Sequence, residues 1–223
     1  MLSGDTVRLL ADSFMKILIP GLKMTIPLTI LSFSIALVIS VVVALIQFAD
    51  IPVLKQICRF YIWFIRGTPL LVQLYVVFFG LPSVGVMIDA FPAAVLVLGL
   101  NEGAYCAETM RSSLEAVPSG QMEAGLCCGL TYTQIMWHVV LPQAFRTAVP
   151  PMFNSLISMV KNTSLAANIT VLEMFMATQR IVGRTYRAMP LYLEVAFIYL
   201  IFSTALSWLQ RYCEKRLNHY GGV

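Results

Sequence analysis

Gln121-Met122-Glu123-Ala124-Gly125-Leu126-Cys127-Cys128-Gly129, followed by Val139-Val140-Leu141-Pro142, is the stretch on which the fold turns. It places a carboxylate, two glycines and a proline at the spacing E-A-G-x3-G-x9-V-x-L-P. Nearly everything around it reads as membrane. Charged, glycine-bearing backbone is not tolerated against lipid, so this island lies outside the bilayer. A membrane chain that keeps a compact, helix-forming, water-facing segment between two spans offers it to a soluble partner.

Composition supports the membrane reading. Of 223 residues, 59% are hydrophobic and 12% are charged, and the mean hydropathy is +0.81. A soluble domain carries about 25% charged residues, so this chain has too little charge for water. A spanning helix needs about 20 apolar residues, and a chain of this length holds about five with their connections. Barrel strands would be shorter and would alternate polar with apolar. The expected fold is therefore an all-α integral membrane protein with five transmembrane helices. The net charge of +4 is small and no basic run exceeds two residues, which excludes nucleic acid as a partner. The five cysteines form no C-x-x-C and sit in or beside apolar runs, where they are expected to pack as small hydrophobes. His138 and His219 are far apart, and no metal site is expected.

Residues 1–21 read as an N-terminal interfacial amphipathic helix. Leu9, Leu10, Ser13, Phe14, Ile17 and Leu18 share a face, and Pro20-Gly21 is expected to end it. Residues 22–217 form the transmembrane domain. Its spans are expected at Met24 to Gln47, Tyr61 to Gly80, Asp89 to Arg111, Arg146 to Ala167, and Leu191 to Tyr212. Asp50-Ile51-Pro52 breaks the chain after the first span, and Lys55, Arg59 and Arg66 mark a basic connector. The segment from Ile169 to Met189, with Glu173, Arg180, Arg184 and Arg187, is expected as a solvated or interfacial helix. Residues 112–145 are the cytoplasmic loop. Within it, Ser119 is positioned to cap a helix, Gly129 to end it or allow close backbone approach, and Pro142 to start the next one. Gly125-x3-Gly129 also fits a membrane helix-packing motif. With the loop inside, eight of the 15 Lys and Arg residues fall inside and seven outside, so basic charge does not set the orientation.

The island and its flanks resemble the inner-membrane permease subunits of ATP-binding-cassette importers, and more narrowly the polar amino acid permeases. The EAA loop of those permeases reads E-A-A-x3-G-x9-I-x-L-P. Glu123, Ala124, Gly125, Gly129, Val139, Leu141 and Pro142 occupy it, with Gly125 in place of the second alanine and Val139 in place of isoleucine. Phe64-Ile65-Arg66-Gly67-Thr68-Pro69-Leu70-Leu71-Val72-Gln73, Gly103-Ala104-Tyr105-Cys106-Ala107-Glu108, and the run from Leu141-Pro142-Gln143 to Lys161-Asn162-Thr163-Ser164 resemble the same branch. The pattern is most similar to cystine-type permeases. The resemblance implies a type I importer-permease core whose loop helix docks on the ATPase. It implies a cytoplasmic ABC ATPase dimer, an extracytoplasmic amino-acid-binding protein and a second permease copy (homodimer or heterodimer) as partners, besides membrane lipid. ATP and Mg would be bound by the ATPase. The chain itself has no G-x4-G-K-[ST], so it is not expected to be an enzyme and needs no cofactor of its own. The bacterial inner membrane is implied, with the N-terminus outside and the C-terminus cytoplasmic. A stand-alone secondary transporter or channel is the alternative; it predicts inverted repeats or a selectivity motif, and neither is visible.

Polar groups at membrane depth mark a pathway. Gln73, Asn101, Glu102, Tyr105 and Glu108 are the candidates before the loop. Asn154, Ser158, Lys161, Asn162, Thr163 and Ser164 are the candidates after it. Asn101, Tyr105 and Glu108 share one helical face, and Asn154, Ser158 and Lys161 another. Glu102 or Glu108 would meet a substrate ammonium and Lys161 a carboxylate, while Glu108 equally suits an ion pair with Lys161 or Arg111. Arg66-Gly67-Thr68-Pro69 reads as backbone shaping. Related permeases commonly carry a carboxylate where Asn162 stands, and its loss points away from strongly cationic substrates.

Overall fold

The computed structural model describes residues 4–49 and 51–218. Asp50 and His219, both used above, lie outside the described residues. The chain opens with α1 (Gly4–Pro20) and α2 (Ile26–Phe48). They do not separate at Pro20-Gly21. A π-helical turn, Gly21–Thr25, joins them into one rod, Gly4–Phe48. Gly21 serves packing instead of termination: a Cβ there would sit 2.6 Å from Met174 Sδ. At 1.5 Å per residue the 45-residue rod is roughly 67 Å long, about twice the hydrocarbon thickness, so part of it extends beyond the membrane. One face of α1 is buried: Ile17 packs with Met174, Val195 and Ile198.

The prolines explain the π turns. Besides Gly21–Thr25, such turns occur at Val76–Gly80 and Met136–Val140. Each is closed by the next N–H bonding back five residues, from Ile26 to Gly21, Leu81 to Val76, and Leu141 to Met136. The residue after each closing N–H is a proline: Pro27, Pro82 and Pro142. A proline ring clashes with the carbonyl four residues back, and widening the preceding turn relieves the clash without breaking the helix. Pro142 therefore does not start a helix cleanly. Helix α7 (Tyr132–Ile135) runs through the widened turn into α8 (Leu141–Asn162).

The basic connector is itself helical, α3 (Pro52–Gly67). It is followed by α4 (Leu70–Tyr75), and the two are bent by 102° where one straight span was expected. Helix α5 (Ala90–Glu115) is the centre of the fold. It packs most extensively on α2, where Ser32, Ala36 and Ser40 are buried. Gly99 and Gly103 make this possible. A Cβ on Gly99 would lie 2.9 Å from Ile35 Cγ2, and one on Gly103 3.0 Å from Ile39 Cγ2. Small residues let two membrane helices approach closely and gain dispersion contacts. Helix α8 returns along α5, a short 3₁₀ segment (Thr163–Ile169) follows, and α9 (Met174–Thr185) packs on α1. Helix α10 (Ala188–Asn218) lies against α8 and α1.

Among the described residues three helices are long and apolar enough to cross a membrane, or four with the bent pair counted as one span. The fourth expected span, which falls on α8, is not among them. It carries Arg146, Asn154, Ser155, Ser158 and Lys161, and it packs against α5, α2 and α10. Its composition reflects protein neighbours more than lipid.

Gly99→Ala is expected to destabilise the protein by about 1–3 kcal/mol through overpacking. Gly183→Ala is the control, because a Cβ there meets nothing within 4 Å and alanine favours helix by about 1 kcal/mol. Thermal unfolding midpoints in detergent check this: the first should fall, and the second should hold or rise.

Candidate translocation cavity and coupling loop

The α3–α4 break at Gly67-Thr68-Pro69 leaves backbone carbonyls unpaired, and one side chain serves them. Gln73 Nε2 is shared among Ile65 O at 2.8 Å, Thr68 O at 3.1 Å and Thr68 Oγ1 at 2.8 Å. Its Oε1 accepts from Asn101 Nδ2 at 3.0 Å, tying the break to α5. Gln73 is thus committed to structure.

Beside the break lies a cavity of about 560 Å³ between α3, α5 and α8. Asn101, Glu102, Tyr105 and Glu108 line it from α5, and Asn154, Ser158 and Asn162 from α8. The expected stripe on α8 is shifted by one position, because Asn162 and not Lys161 completes it. Lys161 and Ser164 face a separate cavity of about 700 Å³ beside α10. Thr163 is fully buried and its hydroxyl donates to Val160 O at 2.6 Å.

Two charged side chains of the cavity differ in their freedom. Glu108 is held by Arg111, which also donates to Glu115 at 2.5 Å. The ion-pair reading of Glu108 therefore applies, with Arg111 and not Lys161 as partner. Glu102 is buried, with Ser155 beside it in the cavity lining. The cation of the cavity is Arg66, whose Cζ lies 5.1 Å from the Tyr105 ring centroid. Arg66 was read as backbone shaping. Its spacing of seven from Arg59, on the polar face of an amphipathic helix, was the available signal.

The loop is a helical hairpin. α6 (Ser119–Cys127) exposes Glu123 and Ala124 and buries Gly125, where a Cβ would lie 2.7 Å from Ile135 Cγ1. Ser119 does not cap: Pro118 takes the N-cap position, and its carbonyl accepts from Gln121 N at 3.0 Å. Gly129 has φ +76, with Gly129 N bonded to Leu126 O and Leu130 N to Gly125 O. That pair of bonds ends a helix in the left-handed manner glycine favours. The two loop glycines thus work separately within the hairpin, Gly125 in packing and Gly129 in the turn. Thr131 and Gln134 form a capping box that starts α7. Ile135, Met136, Val140 and Ala144 anchor the hairpin on Ala44 of α2 and Leu114 of α5. Pro142, Leu126, Tyr132, Trp137 and Phe145 remain exposed, a partly apolar surface beside Glu123. Cys127 and Cys128 are exposed here too, whereas Cys58 and Cys106 are buried as expected. The apolar run around Cys127 and Cys128 lies on the outside of the hairpin.

The family described as binding-protein-dependent transport system inner membrane component matches residues 36–219. This chain belongs to it. It is 43% identical to the L-cystine transport system permease protein TcyB of Bacillus subtilis, over 95% of this chain and 91% of that protein. It is 40% identical to the probable amino-acid ABC transporter permease protein PatM of Vibrio harveyi, over 92% and 93%. A crystal structure of an amino acid ABC transporter with histidines superposes with a TM-score of 0.87 at 34% identity, covering 92% of this chain and 96% of that one. The chain is an ABC importer permease subunit, a multi-pass protein of the inner membrane. As a member of that family it works with an ATPase and a substrate-binding protein.

In this permease the break is expected to fail before the cavity does. Gln73→Leu removes the donor from Ile65 O and strands Asn101, at about 1–3 kcal/mol for each buried group left unpaired. The apparent melting midpoint should fall, while Gln73→Glu, which keeps an acceptor for Asn101, should lose less. Equal losses would show that the bond to Asn101 contributes nothing.

Proposed function

We propose that this permease carries a polar amino acid, L-cystine or another neutral or polar one, through the cavity between α3, α5 and α8. The observation that carries the reading is the pairing of one available cation with one available carboxylate in one cavity. Arg66 is offered to the substrate carboxylate and Glu102 to the ammonium, since Glu108 is already satisfied by Arg111. Asn101, Asn154, Ser158 and Asn162 supply neutral donors and acceptors for the rest of the molecule. The cavity volume lies in the range of small-molecule sites, roughly 300–1,000 Å³. The names of the cystine and amino-acid relatives support the substrate class.

The loop around Glu123, Ala124, Gly125, Gly129, Leu141 and Pro142 is the ATPase docking element of this reading. ATP and Mg belong to that partner, and this chain supplies no cofactor site. The loop is cytoplasmic, the N-terminus extracytoplasmic and the C-terminus cytoplasmic. Helix α8 is the fourth of five spans, its polar face turned to the cavity. The permease acts as a pair, with itself or with a sibling chain.

Glu123→Lys should abolish coupled uptake in proteoliposomes, by at least about tenfold, through charge reversal at the docking face. The purified variant should keep its thermal midpoint. Normal ATP-driven uptake by Glu123→Lys would remove the loop from the docking role. For the cargo, Asn162→Asp should raise the ratio of cationic to neutral amino acid uptake, measured by competition with radiolabelled substrate. An unchanged profile would take Asn162 out of the site.

A further inference from the structure

The face opposite the coupling loop carries a surface of different character. Helix α5 leads into the loop, α8 runs away from it, and α9 follows α8. Between positions 174 and 190 the chain has three arginines, Arg180, Arg184 and Arg187, and no acidic residue. Arg180 and Arg184 stand one turn apart on the exposed side of α9, and neither has an ion-pair or hydrogen-bond partner among the described residues. Arg187 donates to Thr6 at 3.1 Å, which ties the end of the segment to α1. Between them stands Tyr186, 90% exposed, at φ +56. Left-handed backbone is costly for a residue with a Cβ, and glycine would hold the same turn without strain. The ring is held outward at that cost.

The other side of α9 is connected to the transport core. Met174 and Ala177 are buried, the former against Val195 and Ile198 of α10. Glu173 is fully buried and caps α9, accepting from Phe175 N at 2.9 Å and Met176 N at 2.7 Å. It also accepts from Tyr199 of α10 at 2.8 Å. A load on α9 therefore bears directly on α10.

We propose that Arg180, Arg184 and Tyr186 form a docking surface for an acidic rim on the extracytoplasmic substrate-binding protein. The inference rests on the importer reading and on the placement of α9 outside. Arginine and tyrosine dominate the energetics of protein interfaces, and unpaired surface charge of one sign steers a partner of the other. A lipid surface is the weaker occupant. The apolar side of α9 is buried in protein and not left for insertion beside the arginines.

The test uses the assembled transporter in proteoliposomes with its binding protein. ATPase activity is titrated against binding-protein concentration, at low and high salt, for wild type, for Arg180→Glu with Arg184→Glu, and for Tyr186→Gly. Glycine keeps the left-handed turn and removes only the ring. The double reversal should raise the half-saturating concentration about tenfold and flatten its salt dependence, with basal ATPase unchanged. Tyr186→Gly should raise it less and keep the salt dependence. Unchanged titrations in both variants would overturn the surface while leaving the importer intact. Shifts confined to anionic vesicles would reassign it to lipid. Absence of binding-protein stimulation in wild type would overturn the importer reading itself, and the docking surface with it.

Discussion

The close approach of α2 and α5 through Gly99 and Gly103 is the contact on which the rest of the structure depends. It fixes α5 at the centre, against the small residues Ser32, Ala36 and Ser40. With one face of α5 committed to α2, its other faces are free to do chemistry. Asn101 anchors the α3–α4 break through Gln73, and Glu102 and Tyr105 open onto the cavity. Leu114, near its end, seats the loop hairpin. In a bilayer no hydrophobic force drives helices together, so packing and interhelical hydrogen bonds set the arrangement. Here both originate on one helix.

The cavity and the coupling loop are joined by a continuous helix. From Tyr132 the chain stays helical through the widened turn at Met136–Val140 and on to Asn162. Ile135, near one end, touches Gly125 of the loop helix; Asn154, Ser158 and Asn162, toward the other, line the cavity. This helix thus links the proposed docking loop to the proposed substrate cavity. A turn widened beside Pro142 interrupts it, and π turns often mark functional sites in helices.

The membrane class and the helical loop between α5 and α8 were legible because each rests on local pattern. Composition decides the first, and fixed spacing with a left-handed glycine decides the second. The errors share a physical cause. Pro20 and Pro142 were read as punctuation, but a helix held by neighbours widens instead of stopping. Gln73, an amide at membrane depth, reads in sequence as a pathway residue, whereas its hydrogen bonds go to carbonyls freed by a bend at Thr68-Pro69. Arg66 and not Lys161 lines the cavity because the direction of a side chain near a helix end depends on a rotation of the helix that no periodicity fixes. The shift from Lys161 to Asn162 is one residue, about 100° around the axis.

The most direct measurement is alternating access at the cavity. Ser158→Cys, in a variant whose exposed Cys127 and Cys128 are replaced by alanine, can be labelled in the assembled transporter by a membrane-impermeant thiol reagent. The account predicts that the side from which position 158 is labelled switches when ATP is bound without hydrolysis. Labelling from one side only, at the same rate with and without ATP, would contradict it.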